Sequence, residues 1–184
     1  MKTKKGKSMS DTPVTKYSRP IRILHWLLAL ILIALFVAGT IMHNTNDEAL
    51  KFAIVKIHAP LGLLAGLLLL ARTYFAFTQA RPAPDAKWSL AVKWGSKIIH
   101  ILLYVLPLAL VGTGIGTMAL SGLGEILQSG QTAPWPDMSN VPPAAGHGLF
   151  AKLFLASLTL HIAGAIYHQF VVKDNLIARM MPGK

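Results

Sequence analysis

The chain has 184 residues, 53% hydrophobic and only 14% charged, with a mean hydropathy of +0.51 and a formal charge of +11. Chains too poor in large apolar residues to fold are excluded by these figures, and a basic nucleic-acid binder is disfavoured because the apolar content falls in long runs. There is no cysteine, which removes cysteine-ligated iron–sulfur clusters, thiolate zinc sites, disulfide scaffolds and covalent C-x-x-C-H haem attachment.

A basic segment, residues 1–20, opens the chain with Lys2, Lys4, Lys5 and Lys7. Four apolar stretches follow, at about 21–42, 54–77, 98–120 and 146–172. Each reaches the roughly 20 residues that a helix needs to cross a hydrocarbon core of about 30 Å. A lone strand would leave its backbone unpaired in lipid, and a closed barrel needs many short alternating segments that are absent here. The expected fold is therefore an all-α membrane protein, a four-transmembrane-helix bundle over residues 21–173, with a tail at 174–184. The first stretch is too long for the apolar part of a cleavable signal and reads as a retained anchor. Turn chemistry marks the linkers: Asn44-Thr45-Asn46-Asp47, Arg81-Pro82-Ala83-Pro84-Asp85, and a Gly/Pro/Ser-rich piece from Ser121 to Pro143. Pro60 and Pro107 are expected to kink their helices.

Charge sorts by side. The side holding both termini carries fifteen Lys and Arg against three acidic residues, formally +12; the other carries Lys51, Lys56 and Lys152 against four, formally −1. Positively charged loops stay inside, so both termini are expected to be cytoplasmic. The basic balance is thus a statement about topology.

Seven histidines are present, and all but His43 fall in or beside the apolar stretches. Ionisable groups in membrane helices are costly and mark functional sites by default. His147 and His161 are fourteen residues apart, close to four full turns, so they share a helix face at depths differing by roughly 21 Å. The first helix enters from the cytoplasm and brings His25 to the depth of His161. The second enters from outside and brings His58 to the depth of His147. Each level then holds two imidazoles from different helices. Two ligands are too few for zinc, whereas two facing imidazoles suit a macrocycle that supplies four nitrogens of its own, in a bundle core that commonly houses cofactors. The expectation is two non-covalent haems b, with His25 and His161 ligating the iron of the cytoplasmic-side haem and His58 and His147 that of the periplasmic-side haem. The alternative is a set of structural or proton-relay histidines. Arg19, Arg22, Arg72 and Arg179 inside, with Lys51 and Lys56 outside, are candidate propionate partners. Gly112, Gly114 and Gly116 are expected to permit close helix or haem packing.

An ordered set of motifs runs through nearly the whole chain: Tyr17-Ser18-Arg19, Ile23-Leu24-His25-Trp26, Ile57-His58, the run from His100 through Tyr104 to Pro107, the His147/His161 pair, and the tail from His168 through Lys173-Asp174-Asn175 to Arg179-Met180-Met181-Pro182. With these motifs the chain resembles the bacterial cytochrome b561 family, small four-helix di-haem proteins of the inner membrane. The resemblance implies bis-histidine haems and electron transfer with ubiquinone. For the superoxide oxidase members it further implies a superoxide:quinone oxidoreductase acting on periplasmic superoxide. Lys51 and Lys56, near His58, are candidates for attracting an anionic donor; His100 and His168 are candidates for a quinone site that must also supply protons. The competing reading is a membrane-anchor subunit that relays electrons between a soluble oxidoreductase and the quinone pool, with the Ser121–Pro143 loop and its Trp135 as the docking surface.

Overall fold

A computed structural model describes residues 14–84, 88–130 and 134–183. Lys2, Lys4, Lys5, Lys7 and Asp85 lie outside the described residues. The described chain is helical and contains no strand: α1 (Arg19–Asn44), α2 (Glu48–Thr78), α3 (Leu90–Leu120), α4 (Leu123–Ser129) and α5 (Pro142–Tyr167), followed by a π turn (His168–Val172) and a 3-10 turn (Ile177–Arg179). Four of these segments are long and apolar enough to cross a membrane, the last running from Pro142 to Val172.

The helices begin earlier than their apolar stretches, and capping explains where. Asp47 accepts a hydrogen bond from the Leu50 amide (3.1 Å) and so starts α2 within a polar turn. Ser89 does the same for Val92 (3.3 Å), adding a turn and more of helix, with Lys93 and Lys97, before the apolar part of α3. Proline occupies the first turn of α1 and of α5, where its missing N–H costs nothing. Both α2 and α3 run unbroken through Pro60 and Pro107. The described part of the Ser121–Pro143 linker contains one further helix, α4, which is bounded by Gly122 and Gly130, both in the left-handed region (φ 72° and 65°).

Packing is pairwise: α1 lies along α2, and α3 along α5. The first pair is sealed by Leu28, Ala65 and Leu69, with Ile31, Leu32, Leu35, Leu68 and Tyr104 around them. The pairs approach one another through α2 and α3, where Gly66 lets the backbone come close: a Cβ there would stand 3.0 Å from Cγ2 of Val111. Long apolar side chains such as Leu30 (69% exposed), Leu67 (65%) and Leu160 (60%) cover the outside of the bundle. In water such a surface is an aggregation hazard; in lipid it is the solvated face.

The start of α1 and the C-terminal tail meet at one end of the bundle. The Tyr17 amide donates to the Arg179 carbonyl (3.2 Å), Arg22 Nη1 to the carbonyls of Met181 (2.7 Å) and Gly183 (2.8 Å), and Trp26 Nε1 to that of Met180 (2.9 Å). Arg22 is 7% exposed, so these carbonyls meet part of a buried cation's need for partners.

Gly66→Val is expected to lower stability by about 1–3 kcal/mol through overpacking against Val111. Thermal melting in detergent reads this as a lower midpoint, while Gly62→Ala, inside the same helix and with nothing within 4 Å of its new Cβ, keeps or raises the midpoint.

Candidate functional site

Two imidazole pairs bridge α5 and the α1–α2 pair. His25 of α1 faces His161 of α5 with ring centroids 6.2 Å apart and planes at 72°. His58 of α2 faces His147 of α5, also at 6.2 Å, with planes at 64°. The antiparallel course of α1 and α2 sets this arrangement, since one pair forms near each end of the bundle from residues fourteen apart on α5.

The spacing tests whether these residues fit a metal between them. An imidazole nitrogen lies about 2 Å from a first-row metal it ligates and about 1 Å from its own ring centre, so two imidazoles on opposite faces of one metal have centroids about 6 Å apart. Both pairs meet that value. Neither is joined by a third ligand: among the described residues no group of three or more His, Cys, Asp or Glu gathers around a common point. A two-imidazole site needs its remaining ligands from the metal's own cofactor, as a porphyrin supplies them.

The surroundings of the His58/His147 pair favour the same use. The Thr113 hydroxyl donates to the Ala109 carbonyl (2.8 Å), so its oxygen accepts from Nδ1–H of His147 (3.1 Å). That bond leaves the lone pair of His147 on Nε2, the tautomer a metal ligand needs, and fixes the ring's orientation. Glycines flank both rings: a Cβ on Gly39 would stand 3.5 Å from Cε1 of His58, and one on Gly114 3.5 Å from Cε1 of His147. Gly116 instead makes room for Pro143 (3.0 Å), and Gly112 faces open space. Of Gly112, Gly114 and Gly116, one therefore serves a histidine and one the α3–α5 contact. His58 Nδ1 is buried without a protein partner.

The remaining candidates separate by environment. His100 lies against His161 (centroids 5.3 Å) and donates from Nδ1 to the Ser96 carbonyl (2.6 Å). His168 belongs to another cluster: its Nδ1 meets Asp174 Oδ2 at 2.7 Å, Trp88 Nε1 donates to the same oxygen at 3.0 Å, and the Trp88 and His168 rings are 4.8 Å apart. Burial pushes the Asp174 carboxyl up, but the hydrogen bonds from His168 and Trp88 outweigh it and hold the group below the usual carboxylate range. Arg22 and Arg179 are occupied by backbone carbonyls, the latter by that of Ala83 (3.1 Å). Arg72 is hydrogen-bonded to the Tyr104 hydroxyl, with its guanidinium 5.0 Å from that ring's centre and its Nε buried and unpartnered. At the opposite end, Lys51 sits over the Trp135 ring (5.6 Å), which also packs edge-on against Phe52 (5.2 Å). Trp135 is thus half-buried against α2, and Lys56 is the exposed cation of the two. His43 is exposed. Sequence spacing found the four paired histidines; it missed Thr113, Gly39, Trp88 and Asp174, whose partners lie far away along the chain or on another helix.

Residues 16–183 match the family model described as prokaryotic cytochrome b561. Among curated proteins, the chain is 23% identical over 176 residues to cytochrome b561 homolog 1 of Escherichia coli (strain K12), covering 92% of this chain and 98% of that protein. It is 26% identical over 165 residues to a probable superoxide oxidase, CybB, of Yersinia pestis, covering 88% and 93%. No solved structure gives a significant match.

If His58 and His147 hold a cofactor's metal, Thr113→Val is expected to weaken its retention by about tenfold or more, as loss of an orienting partner does at metal sites; the haem-to-protein ratio after dialysis reads it. The Asp174 cluster has its own pH signature. A carboxylate with a depressed folded-state pKa contributes stability that is full above its unfolded value, about 4, and is lost as pH falls through the lowered one. Trp88 fluorescence is therefore expected to change as pH falls below about 4. Asp174→Asn removes that transition.

Proposed function

The chain belongs to the prokaryotic cytochrome b561 family, and from that membership we propose that it is a di-haem b-type cytochrome of the bacterial inner membrane. In this reading it transfers electrons from a periplasmic donor, superoxide, to ubiquinone, with both termini in the cytoplasm. The observation that carries the proposal is the repeated geometry: two imidazole pairs, one near each end of the bundle, with the same 6.2 Å separation. His25 with His161 and His58 with His147 would hold the two haems. Haem bound there would supply a reversible one-electron couple.

The polypeptide's own task is to guide donor and acceptor to the site, and charge at the outer mouth does this for an anionic donor. Lys56, exposed near His58, supplies attraction for an anion, while Lys51 holds its charge over Trp135 and steadies the linker. Quinone reduction consumes protons as well as electrons. His168 is oriented for proton delivery, since the Asp174 contact at Nδ1 fixes the ring and leaves Nε2 for substrate. His100, anchored at Nδ1 by the Ser96 carbonyl, likewise keeps its Nε2 for a proton, beside His161.

Support for the donor is the similarity to the probable superoxide oxidase CybB; support for the membrane setting is the four apolar spans and the charge asymmetry of the linkers. The test is redox turnover of the purified protein. Superoxide is expected to reduce the haem absorption, and a soluble ubiquinone analogue to re-oxidise it. His168→Ala should slow re-oxidation by about a hundredfold, the usual loss of a general acid, with reduction by superoxide unchanged. Lys56→Gln should slow reduction several-fold at low salt only. If superoxide leaves the spectrum unmoved, the donor is a different molecule; wild-type re-oxidation in both His100→Ala and His168→Ala puts the quinone elsewhere.

A further inference from the structure

Between the start of α1 and the C-terminal tail lies a cavity of about 300 Å³ lined by Arg19, Arg22, Ile23, Pro182 and Gly183. Among the described residues, two guanidinium groups line it and no carboxylate side chain does. Arg22 is 7% exposed and its Nε is buried without a protein partner, although Nη1 of the same side chain holds two tail carbonyls. The cavity also borders the first turn of α1, where the N-cap Ser18 makes no side-chain cap and its hydroxyl is buried and unpartnered. Backbone N–H groups and the positive end of the helix dipole favour an anion at such a terminus.

The apolar surface beside the cavity identifies the anion's source. At 100° per residue, Ile23 is about 200° around α1 from His25, on the face away from the paired imidazoles. Ile23 is 62% exposed, and the same face continues down the helix through Leu27 (41%) and Leu30 (69%). A cationic pocket at the head of an exposed apolar stripe matches the two halves of one amphiphile, a phosphate headgroup and an acyl chain. Among the described residues, this end of the bundle also carries most of the Lys and Arg, the charge that anionic headgroups attract.

We propose that Arg19 and Arg22, with the C-terminal tail, form a binding site for the phosphate of an anionic phospholipid whose acyl chain lies along Ile23, Leu27 and Leu30. Such a lipid completes the clamp that Arg22 makes on the tail and ties that end of the bundle to its leaflet. The tail carbonyls take Nη1 of Arg22, so the rest of its guanidinium is left for a phosphate oxygen, and Arg19 supplies the second guanidinium.

Thermal melting of the full-length purified protein in detergent tests this, with phosphatidylglycerol, phosphatidylcholine or inorganic phosphate added separately. Near saturation, phosphatidylglycerol is expected to raise the midpoint by about 5 °C, while phosphatidylcholine and inorganic phosphate leave it unmoved. Arg22 holds the tail, so its replacement disturbs the fold; Arg19 is exposed and outside that clamp, and Arg19→Gln should weaken the phosphatidylglycerol response about fivefold in half-saturating concentration. An equal response to phosphatidylcholine, an equal response to inorganic phosphate, or an unchanged response in Arg19→Gln each overturns the proposal.

Discussion

Four imidazoles inside an apolar bundle have to be satisfied, and the arrangement of the long helices answers that demand. Polar groups at membrane depth are costly unless they face the interior and find partners. Here α5 carries one histidine near each end, α1 meets the first and α2 the second, so each level contributes one ring from either side. The helices themselves pack in two pairs, α1 with α2 and α3 with α5. It is the imidazoles that face one another across the division. A hydrophobic core of ordinary size is absent among the described residues, where the buried cluster consists of Leu28, Ala65 and Leu69.

The end bearing the termini is organised differently, by polar contacts to the tail. Arg22, Trp26 and the Tyr17 amide each donate to a tail carbonyl, and Trp88 and His168 converge on Asp174. These bonds hold the last residues of the chain against α1 although no helix is long enough there to do so. The π turn at His168–Val172 and the left-handed residues Lys173 and Asn175 (φ 59° and 56°) turn the chain back to make those contacts. Positive φ at non-glycine residues costs energy and persists where surrounding structure compensates; the Asp174 cluster lies between the two.

Much of this is legible in the sequence because it depends on period and length. Hydropathy over about 20 residues locates spans, and a fourteen-residue interval between histidines is close to a whole number of turns. The helix starts are less legible: Glu48 and Leu90 lie in polar surroundings, and only the caps at Asp47 and Ser89 mark them. Contacts between distant residues leave no local trace. Arg22 and Met181 are 159 positions apart, Trp88 and Asp174 86, and Thr113 and His147 34. The contacts of Trp135, placed between two prolines, are equally without a local trace: the fold lays its ring against Lys51 and Phe52.

The central claim is that each imidazole pair holds one haem, and stoichiometry tests it most directly. Pyridine haemochrome assay of the purified protein is predicted to give two haems b per chain. His58→Ala and His25→Ala should each retain one, with distinct remaining spectra and potentials because the two pairs differ in their surroundings. A wild-type ratio of one or none, or loss of neither haem on replacing these histidines, would contradict that claim.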